Sequence, residues 1–273
     1  MSQVKANGIT FEVERHGTSD APALILIRGL GSQLIQWPAP MIAKFVAAGF
    51  QVVAFDNRDA GLSQKCDDPT DYTLVDMAQD TIGLMDALGL SQAHVLGMSM
   101  GGSITLILSL RYPDRILSAT VVMSSSRAAH LPQASPEVLV ALRSEPPSAR
   151  RQDVIAHGLA VDRLWQSPRW PFDEGQRAAL IGRLWDRCYC PEGAARQYRA
   201  MVASESALKR IEGIRIPLLV VHGTQDALVP IEHGRDIAAR VRGARLVEID
   251  GMGHDLGEEA AEVVARHTLN FLR

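Results

Sequence analysis

The sequence predicts an α/β protein built on a mostly parallel, doubly wound sheet, and three observations lead there. Short apolar runs alternate with segments of helical period, no internal repeat interrupts them, and 273 residues suffice to bury a large core. Strands separated by helices need right-handed crossovers, which cover both faces of a parallel sheet. Hydrophobic residues make up 47% of the chain and charged residues 22%, values that exclude disordered, collagenous and coiled-coil classes.

Taken in order, residues 3–15 read as an antiparallel hairpin about Asn7-Gly8, a dipeptide that accepts the positive φ of a tight turn. Residues 23–27 and 51–55 are solid apolar runs too short for stable helices, as expected of strands covered on both faces. Between Tyr72 and Leu90, the residues Leu74, Met77, Ala78, Ile82, Met85 and Leu88 recur at helical spacing. Thr73 and Asp76 form a capping box there, and Gly89 ends the helix. Strands at 93–96, 116–123, 217–221 and 244–249 then alternate with helices at 100–110, 231–241 and 258–272.

From about 130 to 212 the rhythm breaks. Prolines crowd this stretch, Trp165, Trp170 and Trp185 fall in it, and helical segments occur without a buried strand. It reads as a helical cap, residues 130–212, inserted into a core made of 1–129 and 213–273.

Charge points to the class of partner. With 28 Lys and Arg against 31 Asp and Glu the net charge is −3, so no general field draws the chain to nucleic acid or anionic lipid, and a small molecule is the expected ligand. No apolar run approaches the ~18 residues of a membrane span, and the first residues lack the apolar stretch of a secretory signal. The three cysteines give no disulfide framework, since Cys188 and Cys190 are separated only by Tyr189. A cytoplasmic location and no metal site are expected.

The strongest motif is Gly97-Met98-Ser99-Met100-Gly101, set between an apolar strand and a helix. A sharp strand-to-helix turn raises the central serine at the carboxyl end of the sheet, and the flanking glycines let strand and helix pass closely. A serine hydroxyl is a poor nucleophile near neutrality and needs a base, which in turn needs an orienting acid. His254 follows the strand at 244–249 within Gly251-Met252-Gly253-His254. Of the other histidines, His94 falls in a buried strand, His267 in the final helix, His16 after the first hairpin, and His130, His157 and His233 in the cap or a helix. Asp226 follows the strand at 217–221 and is the expected acid, because the rivals Asp250 and Asp255 adjoin His254 too closely to face its far ring nitrogen. The oxyanion hole is expected from the main-chain N–H groups of Met100 and of Leu30, within Arg28-Gly29-Leu30-Gly31.

Together these motifs resemble the α/β-hydrolase fold family from about residue 4 to 272, apart from the cap. The order Ser, Asp, His is that family's order. Asp56-Asn57-Arg58-Asp59-Ala60-Gly61-Leu62-Ser63 is similar to a family turn in which glycine is commoner than Asp59, and Arg28 stands where many members have histidine. Trp37-Pro38, the wording around Ser99 and Gly251-Met252-Gly253-His254 resemble the branch that includes the anthracycline (aclacinomycin) methylesterases. The resemblance implies hydrolysis of a small-molecule carboxylic ester through an acyl-enzyme, without a cofactor. A serine at the turn argues against the haloalkane dehalogenases and epoxide hydrolases, which use aspartate. Perhydrolysis, carbon–carbon bond hydrolysis or a ligand receptor built on the same residues are the alternatives.

Smaller signals complete the reading. Arg28 is a candidate for substrate binding, although an ion pair with Asp56 or Asp59 is the expected state. Trp165 and Trp185 are candidates for the pocket wall, with Trp170, Phe172, Tyr189, Tyr198 and Met201 as further apolar residues of the cap. The cap arginines, Arg187 and Arg196 among them, are expected to form a solvated face.

Overall fold

A computed structural model of the chain describes residues 1–66 and 72–273. Strands β1 (Ser2–Ala6) and β2 (Ile9–His16) form the hairpin, turning at Asn7 (φ 49°) and Gly8 (φ 75°). Two successive left-handed residues match the twist of the strands they join. Strands β3 (Ala23–Ile27), β4 (Gln51–Phe55), β5 (Ala93–Met98), β6 (Ile116–Val122), β7 (Leu218–Gly223) and β8 (Arg245–Ile249) complete an eight-stranded sheet ordered β1-β2-β4-β3-β5-β6-β7-β8. β2 is antiparallel to β1 and β4, and the remaining pairs are parallel. β5 and β7 outrun their apolar stretches, because the ladder continues through Gly97 and Met98 on one and through His222 and Gly223 on the other.

Helices α1 (Ala39–Ala47) and α9 (Glu258–Leu272) cover one face, and α2 (Leu74–Ala87), α3 (Met100–Arg111) and α8 (Ile231–Arg240) the other. The pleat divides β3 between the two cores: Ala23, Ile25 and Ile27 join Leu84 and Ile104, while Leu24 and Leu26 join Phe45 and Val264. The Thr73–Asp76 box caps α2 as its sequence predicts. Helix α1 adds to the expected elements, with Met41, Ile42 and Phe45 on one buried face at helical spacing. α3 is buried around nearly its whole circumference, which accounts for its lack of a polar side. Among the described residues, no helix is long and apolar enough to cross a membrane.

The β3–β4 and β5–β6 connections depart in opposite directions from adjacent strands. Such a switch point opens a crevice at the carboxyl ends of β3 and β5. Between β6 and β7 the chain forms α4 (Pro136–Leu142), α5 (Arg151–Asp162), α6 (Glu174–Arg187) and α7 (Pro191–Ala203). The expectation that the arginines here lie on a solvated face is corrected at two positions. Arg187 pairs with Asp56 at 2.7 Å and Arg196 with Asp59 at 2.8 Å, with Asp56, Asp59 and Arg196 buried and Arg187 nearly so. A helix face that meets the carboxyl edge of the sheet, where the turn after β4 presents carboxylates, takes up arginine rather than apolar residues. Gln197, fully buried, donates to the Arg58 carbonyl (2.6 Å) and accepts from Gly31 N–H (2.7 Å).

The turn after β4 explains its own residues. Arg58 forms a two-pronged pair with Asp80 at 2.6 Å and 2.6 Å. Asp59 has φ 67°, the left-handed conformation for which glycine is ordinarily chosen. Aspartate tolerates it, and its carboxylate receives Arg196 and the Cys66 N–H.

Candidate active site

Ser99 joins β5 to α3 at φ 55° and ψ −121°, a conformation rarely adopted by a side-chain-bearing residue and costing on the order of 1–3 kcal/mol. The surrounding backbone holds it there. Ser99 N–H donates to the Val122 carbonyl (2.9 Å), and the Ser99 carbonyl accepts from Gly102 N–H and the Ser124 hydroxyl. A Cβ at Gly97 would lie 2.1 Å from the Gly101 carbonyl oxygen, and one at Gly101 would lie 2.1 Å from that of Ile27. Both glycines are therefore required by contact between strand and helix.

His254 lies in the loop after β8, where Nε2 is 3.0 Å from Ser99 Oγ and Nδ1 is 2.7 Å from Asp226 Oδ2. Because a carboxylate only accepts, Nδ1 carries the proton and Nε2 faces Ser99 as the acceptor. Asp226 follows β7, and its other oxygen accepts from Leu228 N–H (2.9 Å) and Val229 N–H (2.7 Å). Serine, histidine and aspartate thus form one directed chain, reaching from a buried carboxylate to the cavity.

Of the rival acids, Asp255 accepts from Ser167 N–H and hydroxyl, and Asp250 receives the Thr224 hydroxyl. Burial raises the Asp255 pKa against those hydrogen bonds. The segment carrying Ser167 also ties down the histidine loop: the Trp165 carbonyl accepts from His254 N–H (2.7 Å), and the Ser167 hydroxyl from Gly253 N–H (2.9 Å). A Cβ at Gly253 would come within 2.4 Å of the Trp165 oxygen, so glycine permits this approach.

Two further histidines stand close by, neither read from the sequence as part of the site. His222, wholly buried, donates Nε2–H to the Val229 carbonyl (2.7 Å) and lies 3.6 Å from Asp226. His233 lines the cavity, donating from Nε2 to the Pro132 carbonyl and accepting from the Ser125 hydroxyl. Burial depresses the pKa of both, which keeps the imidazoles neutral. His222 ends a strand whose apolar run conceals it, and its partner is a carbonyl seven residues on, so no sequence signal marked it.

Leu30 lines the cavity beside Ser99, in a loop so close that a Cβ at Gly29 would be 3.2 Å from Ser99 Cβ. Met100 is the first residue of α3, where an N–H has no acceptor within its own helix. Arg28 lines the cavity but does not pair with Asp56 or Asp59, which corrects the expected ion pair, since Arg187 and Arg196 occupy those carboxylates. Its guanidinium instead lies over the Trp37 ring at 4.8 Å and meets Met98 Sδ at 3.3 Å.

The cavity above Ser99 measures about 1220 Å³, beyond the usual range of ligand pockets. Trp165, Trp170, Phe172, Tyr198 and Met201 all reach its wall. Trp185 does not: it sits on α6 with Nε1–H donating to the Ala149 carbonyl, the opposite side of that helix being turned to the cavity through Leu180, Arg183 and Leu184. Tyr189 lies in a separate shallow depression with Pro146 and Pro191. Cys66, Cys188 and Cys190 are free thiols.

The chain is 28% identical to rhodomycin D methylesterase DnrP of Streptomyces peucetius, over 92% of this chain and 91% of that protein. It is 28% identical to the bifunctional esterase/perhydrolase DCH of Acinetobacter calcoaceticus, over 98% of this chain and 97% of that protein, and 28% identical to 2-hydroxy-6-oxo-6-phenylhexa-2,4-dienoate hydrolase of Comamonas testosteroni, over 96% of this chain and 92% of that protein. Among solved structures, the enol-lactonase of Burkholderia xenovorans LB400 superposes with a TM-score of 0.81 at 28% identity, covering 99% of each chain. The model of the alpha/beta hydrolase fold matches residues 22–261, and the chain belongs to that family.

Proposed function

We propose that the protein is a serine esterase that cleaves a carboxylic ester of a small molecule through an acyl-enzyme. The observation that carries this reading is the hydrogen-bonded chain from Asp226 through His254 to Ser99 Oγ, at a strained turn facing a large cavity. Ser99 Oγ attacks the ester carbonyl while His254 Nε2 takes its proton. The tetrahedral oxyanion is received by Leu30 N–H and Met100 N–H, and collapse expels the alcohol, which leaves with the proton from His254. Water then attacks the acyl-enzyme by the same route and releases the acid. Asp226 holds the imidazole in the required tautomer and stabilises its cation.

Residues 130–212 serve in this reading as a cap that shapes the substrate cavity, with Trp165 in its wall. A methylesterase and an esterase/perhydrolase among the relatives support ester hydrolysis. Free thiols throughout suit a cytoplasmic enzyme. The test is turnover of p-nitrophenyl esters from acetate to dodecanoate by wild type and Ser99→Ala. Turnover by the wild type alone is expected, and equal turnover by folded Ser99→Ala would remove the serine from the chemistry.

A further inference from the structure

Among the described residues, the buried Arg58 and Arg196 and the nearly buried Arg187 each have an acid opposite: Arg58 has Asp80, Arg187 has Asp56 and Arg196 has Asp59. Arg28 differs. It is 6% exposed, and its contacts are an aromatic face and a thioether rather than a carboxylate. Its Nε has no hydrogen-bond acceptor, and neither has the buried Nε1 of Trp37 beside it. Burial, and secondarily the charge of Arg177, lower the Arg28 pKa to about 9, as expected of a cation held without a counterion.

A guanidinium in such surroundings is costly to the fold unless an anion completes it. Its position says where that anion would come from. Arg28 directly follows β3 at the start of the loop that carries Leu30, touches the residue preceding Ser99, and lines the same cavity as Ser99. An anion reaching Arg28 would therefore occupy the substrate cavity. The planar fork of a guanidinium fits a carboxylate, and the Trp37 ring lies against it, 4.8 Å from Cζ to the ring centroid.

We propose that Arg28 receives a carboxylate borne by the ester substrate itself, so that the substrate class is an anionic half-ester and not a neutral fatty or aryl ester. The inference rests on the esterase reading above for the reaction, but the carboxylate site stands on its own geometry. Recognition of this kind orients the substrate by its charged end and leaves the ester carbonyl to the serine at the other.

The experiment compares kcat/KM for monoethyl glutarate, adipate, pimelate and suberate with that for ethyl esters of monocarboxylic acids of equal length, followed by proton release. A second arm compares acetyl esters of ω-hydroxy acids with acetyl esters of plain alcohols, since the carboxylate can belong to either half. At one length in one arm, the wild type should favour the anionic ester by about tenfold or more. That ratio should collapse towards one in Arg28→Met and be partly kept in Arg28→Lys, which retains the charge but not the fork. No charge preference in either arm of the wild type, or a preference undiminished in folded Arg28→Met, would overturn the proposal. So would an equal loss on charged and neutral esters.

A calorimetric titration with the corresponding free dicarboxylates supplies a readout without turnover. Binding to the wild type that weakens in Arg28→Met, with no ester turned over, would uphold the carboxylate site and refute the esterase reading. Turnover of esters without charge preference, and without dicarboxylate binding, would do the reverse.

Discussion

Replacing Asp226 by asparagine should cost catalysis far more than stability, and the hydrogen bonds around the carboxylate say why. Asp226 Oδ1 accepts from two main-chain N–H groups, at 2.9 Å and 2.7 Å. An asparagine must place its carbonyl oxygen there, because turning the amide over would set its NH₂ against two donors. The NH₂ then faces His254 Nδ1, where Oδ2 now sits at 2.7 Å. An amide donor requires Nδ1 to accept, which moves the ring proton to Nε2. That nitrogen, 3.0 Å from Ser99 Oγ, can no longer take the hydroxyl proton. Loss of the correct tautomer in a serine–histidine–aspartate site lowers kcat by about 10⁴, or about 5 kcal/mol of barrier. The assay is kcat on the best p-nitrophenyl ester, with thermal unfolding measured in parallel. A fall of less than tenfold in a folded Asp226→Asn protein would refute the tautomer argument, as would a fall matched by a comparable loss of stability.

The other predictions follow from contacts elsewhere in the fold. Gly101→Ala places a methyl group 2.1 Å from the Ile27 carbonyl, so it should destabilise by about 3 kcal/mol or prevent folding, as read by urea denaturation, whereas a neutral effect would contradict the close contact. Arg196→Met leaves Asp59 buried without its partner and should cost about 3–5 kcal/mol, while Arg196→Met with Asp59→Asn should recover much of this. Burial raises the Asp59 pKa, but Arg196 and the Cys66 N–H outweigh it and hold the carboxyl below its usual range. Its contribution is therefore present above about pH 4 and lost as the pH falls through the folded-state value, which acid titration of the wild type against the double variant should reveal. Burial lowers the His94 pKa, so below about 6.5 the unfolded chain takes up a proton that the fold resists. The stability of the wild type relative to His94→Gln should consequently decline as the pH falls below about 6.5, and a constant difference would exclude a neutral His94 in the fold.

What could be read without coordinates depended on how local the governing physics is. The hairpin at Asn7-Gly8, the box capping α2 and the short apolar strands depend on neighbouring residues, and they lie where the pattern puts them. Ser99, His254 and Asp226 were legible because each follows a strand, and a parallel sheet gathers the carboxyl ends of its strands at one edge. Arg187, Arg196 and Gln197 were not, since a polar residue on an amphipathic helix looks the same whether it meets water or a buried carboxylate from another element. Trp185 differs for a related reason: an aromatic residue on α6 can turn to the cavity or away from it, and the sequence does not fix the rotation of that helix. Arg28 was misread because its nearest acids were already engaged by residues far along the chain.

The central claim is that Ser99 is the nucleophile, and the most direct test is covalent capture. The wild type, Ser99→Ala and His254→Ala would be treated with a fluorophosphonate, weighed intact and mapped by peptide mass. A single adduct on the peptide carrying Ser99 is expected for the wild type, with none on Ser99→Ala and slow labelling of His254→Ala. Folded wild type that takes no label, or takes it on another residue with Ser99 unmodified, would contradict the account.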